Sequence, residues 1–332
     1  MRPDKGGAMK RLLTILLATI AGMAPAQVYQ PPQHTRPVPL VSRGGEGELV
    51  QLANQGGAIE HDRSASWLLA EHRRLATALA TLQPQRKGMI DAYVVVAALD
   101  SDPVFGREAR EAGKVLATRY GAAGRSIVLA GTDGNADSTL PMGSPANLDM
   151  ALARVAELMD PAEDVLVLYA TSHGARFGIV YNDADQGFGA ISPTRLWSTL
   201  SQLGIRNRLI LISACYAGVF VPALSSDTTA IVTAASADRT SFGCEADNDW
   251  TFFGDALINH ALRKPQPLAA AAQEAVATIG GWERAGKLEP SQPQVSIGAS
   301  ASRWLSALDA RAPKAASAPV GRPANAVLAE GK

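Results

Sequence analysis

Short, unbroken apolar runs alternate along this chain with longer stretches whose apolar residues recur at helical spacing. SASWLLAEHRRLATALATL, from Ser64, puts Leu68, Leu75, Leu79 and Leu82 on one helical face. DAYVVVAALD, from Asp91, is a β-branched run of strand length, and residues 106–120 after it read as a helix. RSIVLAG (125–131) is a second strand, residues 147–159 a second helix, and DVLVLYATSHG a third strand. SPTRLWSTLSQL offers Ser192 as N-cap and Pro193 at the first helical position, the usual start of a helix. RLILISAC is a fourth strand, TTAIVTAAS a fifth, and PQVSIG, after two more helical stretches, a sixth. Strands without polar alternation, separated by helices, are covered on both faces. The expected fold class is therefore α/β, a three-layer α/β/α sandwich with a mostly parallel sheet.

The two ends depart from this pattern. MKRLLTILLATIAGMAPAQ, from Met9, has a basic start (Lys10, Arg11), an apolar stretch over 12–23 and a small-x-small pattern ending at Ala26. That stretch is shorter than the roughly 20 residues that span a bilayer. Residues 1–26 are expected to be a signal peptide, giving a periplasmic or secreted protein with no stable membrane insertion after its removal. Residues 27–63 form a proline-rich leader and 306–332 an Ala/Pro-rich tail, both expected to be disordered. Residues 64–305 remain as the folded domain.

Composition narrows the function. The 332 residues carry 31 Lys plus Arg and 31 Asp plus Glu, and losing residues 1–26 leaves 27 and 30. Such a slightly acidic chain lacks the basic footprint of a nucleic-acid binder. No His or Cys pair has the sequence spacing of a metal site, so neither a metal nor a cofactor is expected. His34, His61, His72 and His260 read as structural.

In open parallel sheets, ligands bind beyond the carboxyl ends of the strands. The third strand ends in Thr171-Ser172-His173-Gly174 and the fourth in Ser213-Ala214-Cys215, which brings a histidine and a cysteine to one edge. Three roles are open to Cys215: a small core residue, half of a disulfide with Cys244, or a nucleophile. An imidazole beside a thiol is what nucleophilic catalysis needs. In that role His173 is general base and acid, Cys215 the nucleophile, and the backbone N–H groups of Gly174 and Cys215 an oxyanion hole.

VLVLYATSHG followed by LILISACYAG, with ADRTSFGCEADNDWTFFGDAL downstream, resembles the legumain-type asparaginyl endopeptidases of the caspase-like clan, bacterial members included. The resemblance covers roughly residues 91–262. It implies a caspase-like fold and a dyad at His173 and Cys215. The caspase signature Q-A-C-[RQG]-G is not matched, since Ser213 replaces the glutamine and glycine stands three residues after the cysteine. For an asparagine pocket, the resemblance implies Arg107, a hydroxyl at Thr240 or Ser241, and Asp255. Ser213 stands where the family carries an acid. Phe105 stands where the family has an asparagine that orients the histidine, so only a dyad is expected.

The leading expectation is a cysteine endopeptidase that cleaves peptide or protein substrates after Asn or Asp through a thioester. The alternatives are a transamidase or peptide ligase using the same dyad, and a non-catalytic peptide-binding module.

Overall fold

The central strands of the main sheet divide their side chains between two cores, which is why their apolar runs are unbroken. The computed structural model describes residues 46–131 and 138–330; the expected signal peptide lies outside them. The chain begins with α1 (Glu46–Gln55), β1 (Ala58–Glu60), α2 (Ala65–Ala80), β2 (Ala92–Ala98), α3 (Pro103–Arg119), β3 (Ser126–Leu129) and α4 (Pro145–Leu158). β4 (Val165–Thr171) leads into three shorter strands, β5 (Gly174–Ala175), β6 (Gly178–Asp183) and β7 (Gly187–Ile191). Then come α5 (Pro193–Gln202), β8 (Arg208–Ser213), α6 (Phe220–Leu224) and β9 (Thr229–Thr233). A π-helical segment at Gly254–His260, α7 (Leu268–Gly286), β10 (Gln294–Ile297), α8 (Ala301–Arg311) and α9 (Val327–Glu330) follow.

The six-stranded sheet has the order β10-β9-β8-β4-β2-β3, parallel except for the antiparallel edge strand β10. Val94, Val96, Val167, Tyr169, Leu209 and Leu211 face a core shared with α3, the π-helical segment, α7 and α8. Tyr93, Val95, Leu166, Leu168, Ile210 and Ile212 face the other core, with α2, α4 and α5. At about 1.5–3 kcal/mol for each fully buried aliphatic side chain, this two-sided burial dominates the stability. The α/β sandwich read from the sequence is the fold observed.

Three features differ from expectation. Part of the leader, residues 46–60, forms α1 and β1, because Leu49, Leu52 and Ala53 in EGELVQLANQ supply an apolar stripe and Ala53 is buried. The β5–β7 strands, with β1, make a second, antiparallel sheet that the glycine-rich sequence had hidden. α8 runs across the expected boundary at 305, and the segment after it is tied down instead of free. There Trp250 Nε1 donates to the Val320 carbonyl, Asn259 bonds both the N–H and the carbonyl of Val320, and the Ala324 N–H donates to Asp255. No helix among the described residues is long and apolar enough to cross a membrane.

Candidate active site

Adjacent strands β4 and β8 run parallel to their last pair, Thr171 beside Ser213, so His173 and Cys215 each follow two residues beyond the same edge. The Ser172 N–H donates to the Ser213 carbonyl at 3.1 Å, prolonging the contact. Gly174 then packs its backbone directly on Cys215: a Cβ at Gly174 would collide with the Cys215 carbonyl and come within 3.0 Å of Ala214 Cβ. Only glycine fits such an approach. The hairpin pins the histidine's backbone, with the Val180 N–H donating to the His173 carbonyl at 2.9 Å and Ser172 Oγ to the Val180 carbonyl at 2.7 Å.

Past Cys215 the chain turns sharply. Tyr216 takes a left-handed φ of 57°, and its N–H donates to the Arg239 carbonyl at 2.8 Å. A left-handed non-glycine residue is strained by about 1–2 kcal/mol, here held by that bond. The turn leaves the thiol half-buried at the rim instead of in the core. Among the described residues the Cys215 N–H has no hydrogen-bond acceptor.

The imidazole of His173 is held from three sides. Its Nε2 lies 3.1 Å from Asp102 Oδ2, the Phe105 ring meets it edge-on at 5.0 Å, and the Cys244 thiol stands beside it. Burial works against the charged ring, but the hydrogen bonds to Asp102 and Cys244 and the nearby Asp100 carboxylate outweigh it, and the pKa is pushed up to about 11. His173 is therefore an imidazolium at neutral pH, with its Nε2–H donating to Asp102. Asp102 sits at the N-cap of α3, before Pro103, without capping its own helix; its N–H donates to Asp100 Oδ1 at 2.8 Å. Asp100, Asp102 and His173 offer oxygen and nitrogen atoms within 4.8 Å of one another, a set that could hold a divalent cation and that sequence spacing had not suggested.

Both cysteines are free thiols, so the disulfide reading of Cys215 is not what the structure contains. The loop over 241–251 touches both members of the expected dyad. Its Ser241 N–H donates to Cys215 Sγ at 3.3 Å, Ser241 Oγ lies 3.6 Å from the sulfur, and Cys244 meets His173.

The expected substrate pocket is arranged differently. Arg107 donates to the carbonyls of Ala246 and Asn248 and pairs with Asp249 at 3.3 Å. Among the described residues it makes no ion pair with Asp255. Asp255 is 0% exposed and accepts from Asn259 and from the Ala324 N–H, so it anchors the C-terminal segment and is not open to a substrate. Ser213 is 2% exposed and hydrogen-bonded to Thr251 at 2.9 Å, behind the site. Thr240 is exposed, while Ser241 lies against the thiol.

Residues 142–278, which include His173, Cys215 and the 241–251 loop, match the model of the peptidase C13 family. This match over part of the chain supports a legumain-type peptidase. A crystal structure of caspase-1 from Spodoptera frugiperda is similar at 14% identity and a TM-score of 0.42, over 63% of this chain and 89% of that one. No curated protein matches the sequence. The same match supports a cysteine peptidase.

Sequence reasoning missed Asp102, Asp249 and Glu108. Asp102-Pro103 is itself an N-cap followed by proline at N1, which would have started α3 three residues before Gly106 and put Asp102 at the active edge. Phe105 does touch His173, as an apolar neighbour with no group to orient it.

Proposed function

We propose that this chain is a cysteine endopeptidase in which Cys215 is the nucleophile, His173 the proton carrier and Asp102 the group that orients the imidazole. The observation that carries this reading is the packing of Gly174 on the Cys215 carbonyl, which holds the imidazole and thiol segments at one sheet edge. The thiolate attacks the scissile carbonyl, whose electron pair moves to oxygen, and the Gly174 and Cys215 N–H groups receive that oxyanion. On collapse the C–N bond breaks, and the His173 imidazolium gives its proton to the departing amine. The neutral imidazole then takes a proton from water as the water attacks the thioester. This releases the acid and restores both thiolate and imidazolium. Asp102 keeps the ring in place through both transfers.

Cleavage after Asn or Asp belongs to the same proposal. The cationic Arg107 suits a side-chain carbonyl or carboxylate, with Asp249, and not Asp255, as the neighbouring acid that would favour an amide. Export by residues 1–26 is proposed as well, and N-terminal sequencing of the chain recovered from a periplasmic fraction tests it. Digesting a peptide library with the parent, Cys215→Ala and His173→Ala chains tests the chemistry. The parent should cut after Asn or Asp and neither variant should. Equal cleavage by all three would rule the dyad out, and amine-capped products would identify a transamidase.

A further inference from the structure

Glu108, on α3, is fully buried, and among the described residues it makes no ion pair. Some buried carboxylates of this chain have cations beside them, as Asp91 has Arg86 and Arg125, while Asp164 is held by backbone N–H groups. Glu108 is met by four donors instead. Tyr169 and Thr171 give their hydroxyl protons to Oε1 at 2.5 and 2.7 Å, and Thr251 gives both its N–H and its hydroxyl to Oε2 at 2.8 Å. Gly254 makes room for the carboxylate, because a Cβ there would overlap it. Burial pushes the Glu108 pKa up, and the four donors oppose that shift by favouring the ionised form.

The origin of the donors matters more than their number. Tyr169 and Thr171 lie on β4, four and two residues before His173. Thr251, with its hydroxyl proton directed to Glu108, accepts from the Ser213 hydroxyl at 2.9 Å, two residues before Cys215. Thr251 is also the root of the 241–251 loop. The next residue, Phe252, donates its N–H to the Phe242 carbonyl at 2.9 Å, and Phe242 adjoins Ser241, whose N–H meets the Cys215 sulfur. β4 and β8 hold each other through their ladder, but that loop is outside the sheet and needs a separate anchor. Where the family carries an acid two residues before the nucleophile this chain has Ser213, and Glu108 supplies a carboxylate one hydroxyl further in.

We propose that Glu108 is a positioning residue: through Thr251 it fixes the 241–251 loop against the ends of β4 and β8, so that the Ser241 N–H stays on the sulfur of Cys215. This rests on the reading of Cys215 as the nucleophile. Glu108 never meets the substrate. Its contribution is to hold one thiolate donor at hydrogen-bonding distance.

Thr251→Val keeps shape and the backbone N–H while removing the hydroxyl that joins Ser213 to Glu108, and Thr251→Ser restores that hydroxyl. In the full chain, Cys215 alkylation by iodoacetamide at pH 6 should be about tenfold slower in Thr251→Val, the effect of losing one hydrogen bond to a charged sulfur. kcat should fall by a similar factor with KM little changed, the Ser241 N–H should exchange faster with deuterium, and Thr251→Ser should resemble the parent. General loosening would have the opposite sign, because an exposed thiol alkylates faster. Glu108→Gln, which turns an NH2 toward one of the donors, should act in the same direction as Thr251→Val and more strongly. If Glu108→Gln does not fold, the Thr251 pair still decides. Alkylation in Thr251→Val as fast as in the parent, or a Thr251→Ser chain as slow as Thr251→Val, would overturn the proposal. A parent chain that cleaves no peptide would instead refute the peptidase reading, while alkylation and exchange would still report on Glu108.

Discussion

Replacing Asp102 with asparagine keeps the size of the side chain and an oxygen for the His173 Nε2–H, but removes the charge 3.1 Å from the ring. Two unit charges at that separation interact by about 5 kcal/mol at an effective dielectric of 20. The imidazole side chain is 37% exposed, so solvent screens much of this, and a fall of about 1–3 pKa units is expected. The parent value of about 11 also draws on Cys244 and Asp100, which remain in the variant. Because the folded-state pKa is raised above 6.5, the charged ring stabilises the parent fully below pH 6.5, and this is lost as pH rises through about 11. The stability gap between parent and Asp102→Asn is full below the variant's own lowered midpoint and closes between there and about 11. The direct assay is an NMR titration of the His173 ring proton in a Cys215→Ala background, with melting temperatures followed across the same range. In active chains the alkaline limb of kcat/KM should move down in step. A ring that titrates at the parent midpoint in Asp102→Asn would show that Asp102 does not hold the proton on His173, and the orienting role would have to be abandoned.

Gly174→Ala should abolish cleavage and lower the melting temperature, because the new methyl must displace the Cys215 carbonyl; unchanged turnover would mean that the two strand ends are further apart than described. Cys244→Ser should keep Cys215-dependent cleavage while lowering the His173 midpoint, and loss of all thioester trapping in that variant would make Cys244 the nucleophile. Asp255→Asn should destabilise by about 1–3 kcal/mol, as expected when a buried acceptor is impaired, and leave residue preference unaltered. A changed preference in a peptide-library digest would return Asp255 to the pocket.

Legibility in the sequence followed the reach of the interactions. The central strands of the main sheet showed as unbroken apolar runs, because burial on both faces leaves no polar position in a segment such as LILI (209–212). That His173 and Cys215 follow adjacent strand ends was legible for a related reason, since parallel neighbours end at one edge of the sheet. The second sheet was hidden because β5 and β7 are rich in glycine and take their register from hairpin partners, not from their own propensity. Pocket residues were harder still. Arg107 and Asp249 are 142 residues apart, and which acid an arginine finds depends on how a loop without regular structure closes over it. Glu108 could not be told from the other charges of α3, since helical spacing places it on the core face but says nothing about hydroxyls from β4 and the 241–251 loop that satisfy it there.

The C-terminal segment bears on how this protein is handled at the bench. A truncation at residue 305, where sequence composition suggests the domain ends, cuts α8 and strips Asn259 and Asp255 of the backbone groups they hold. It also bares Trp250, in the same loop that reaches Cys215 and His173. Expression clones shortened to the apparent domain would therefore be prone to yield insoluble or sluggish material, and a purification handle is better placed beyond Lys332 than spliced into the stretch before it.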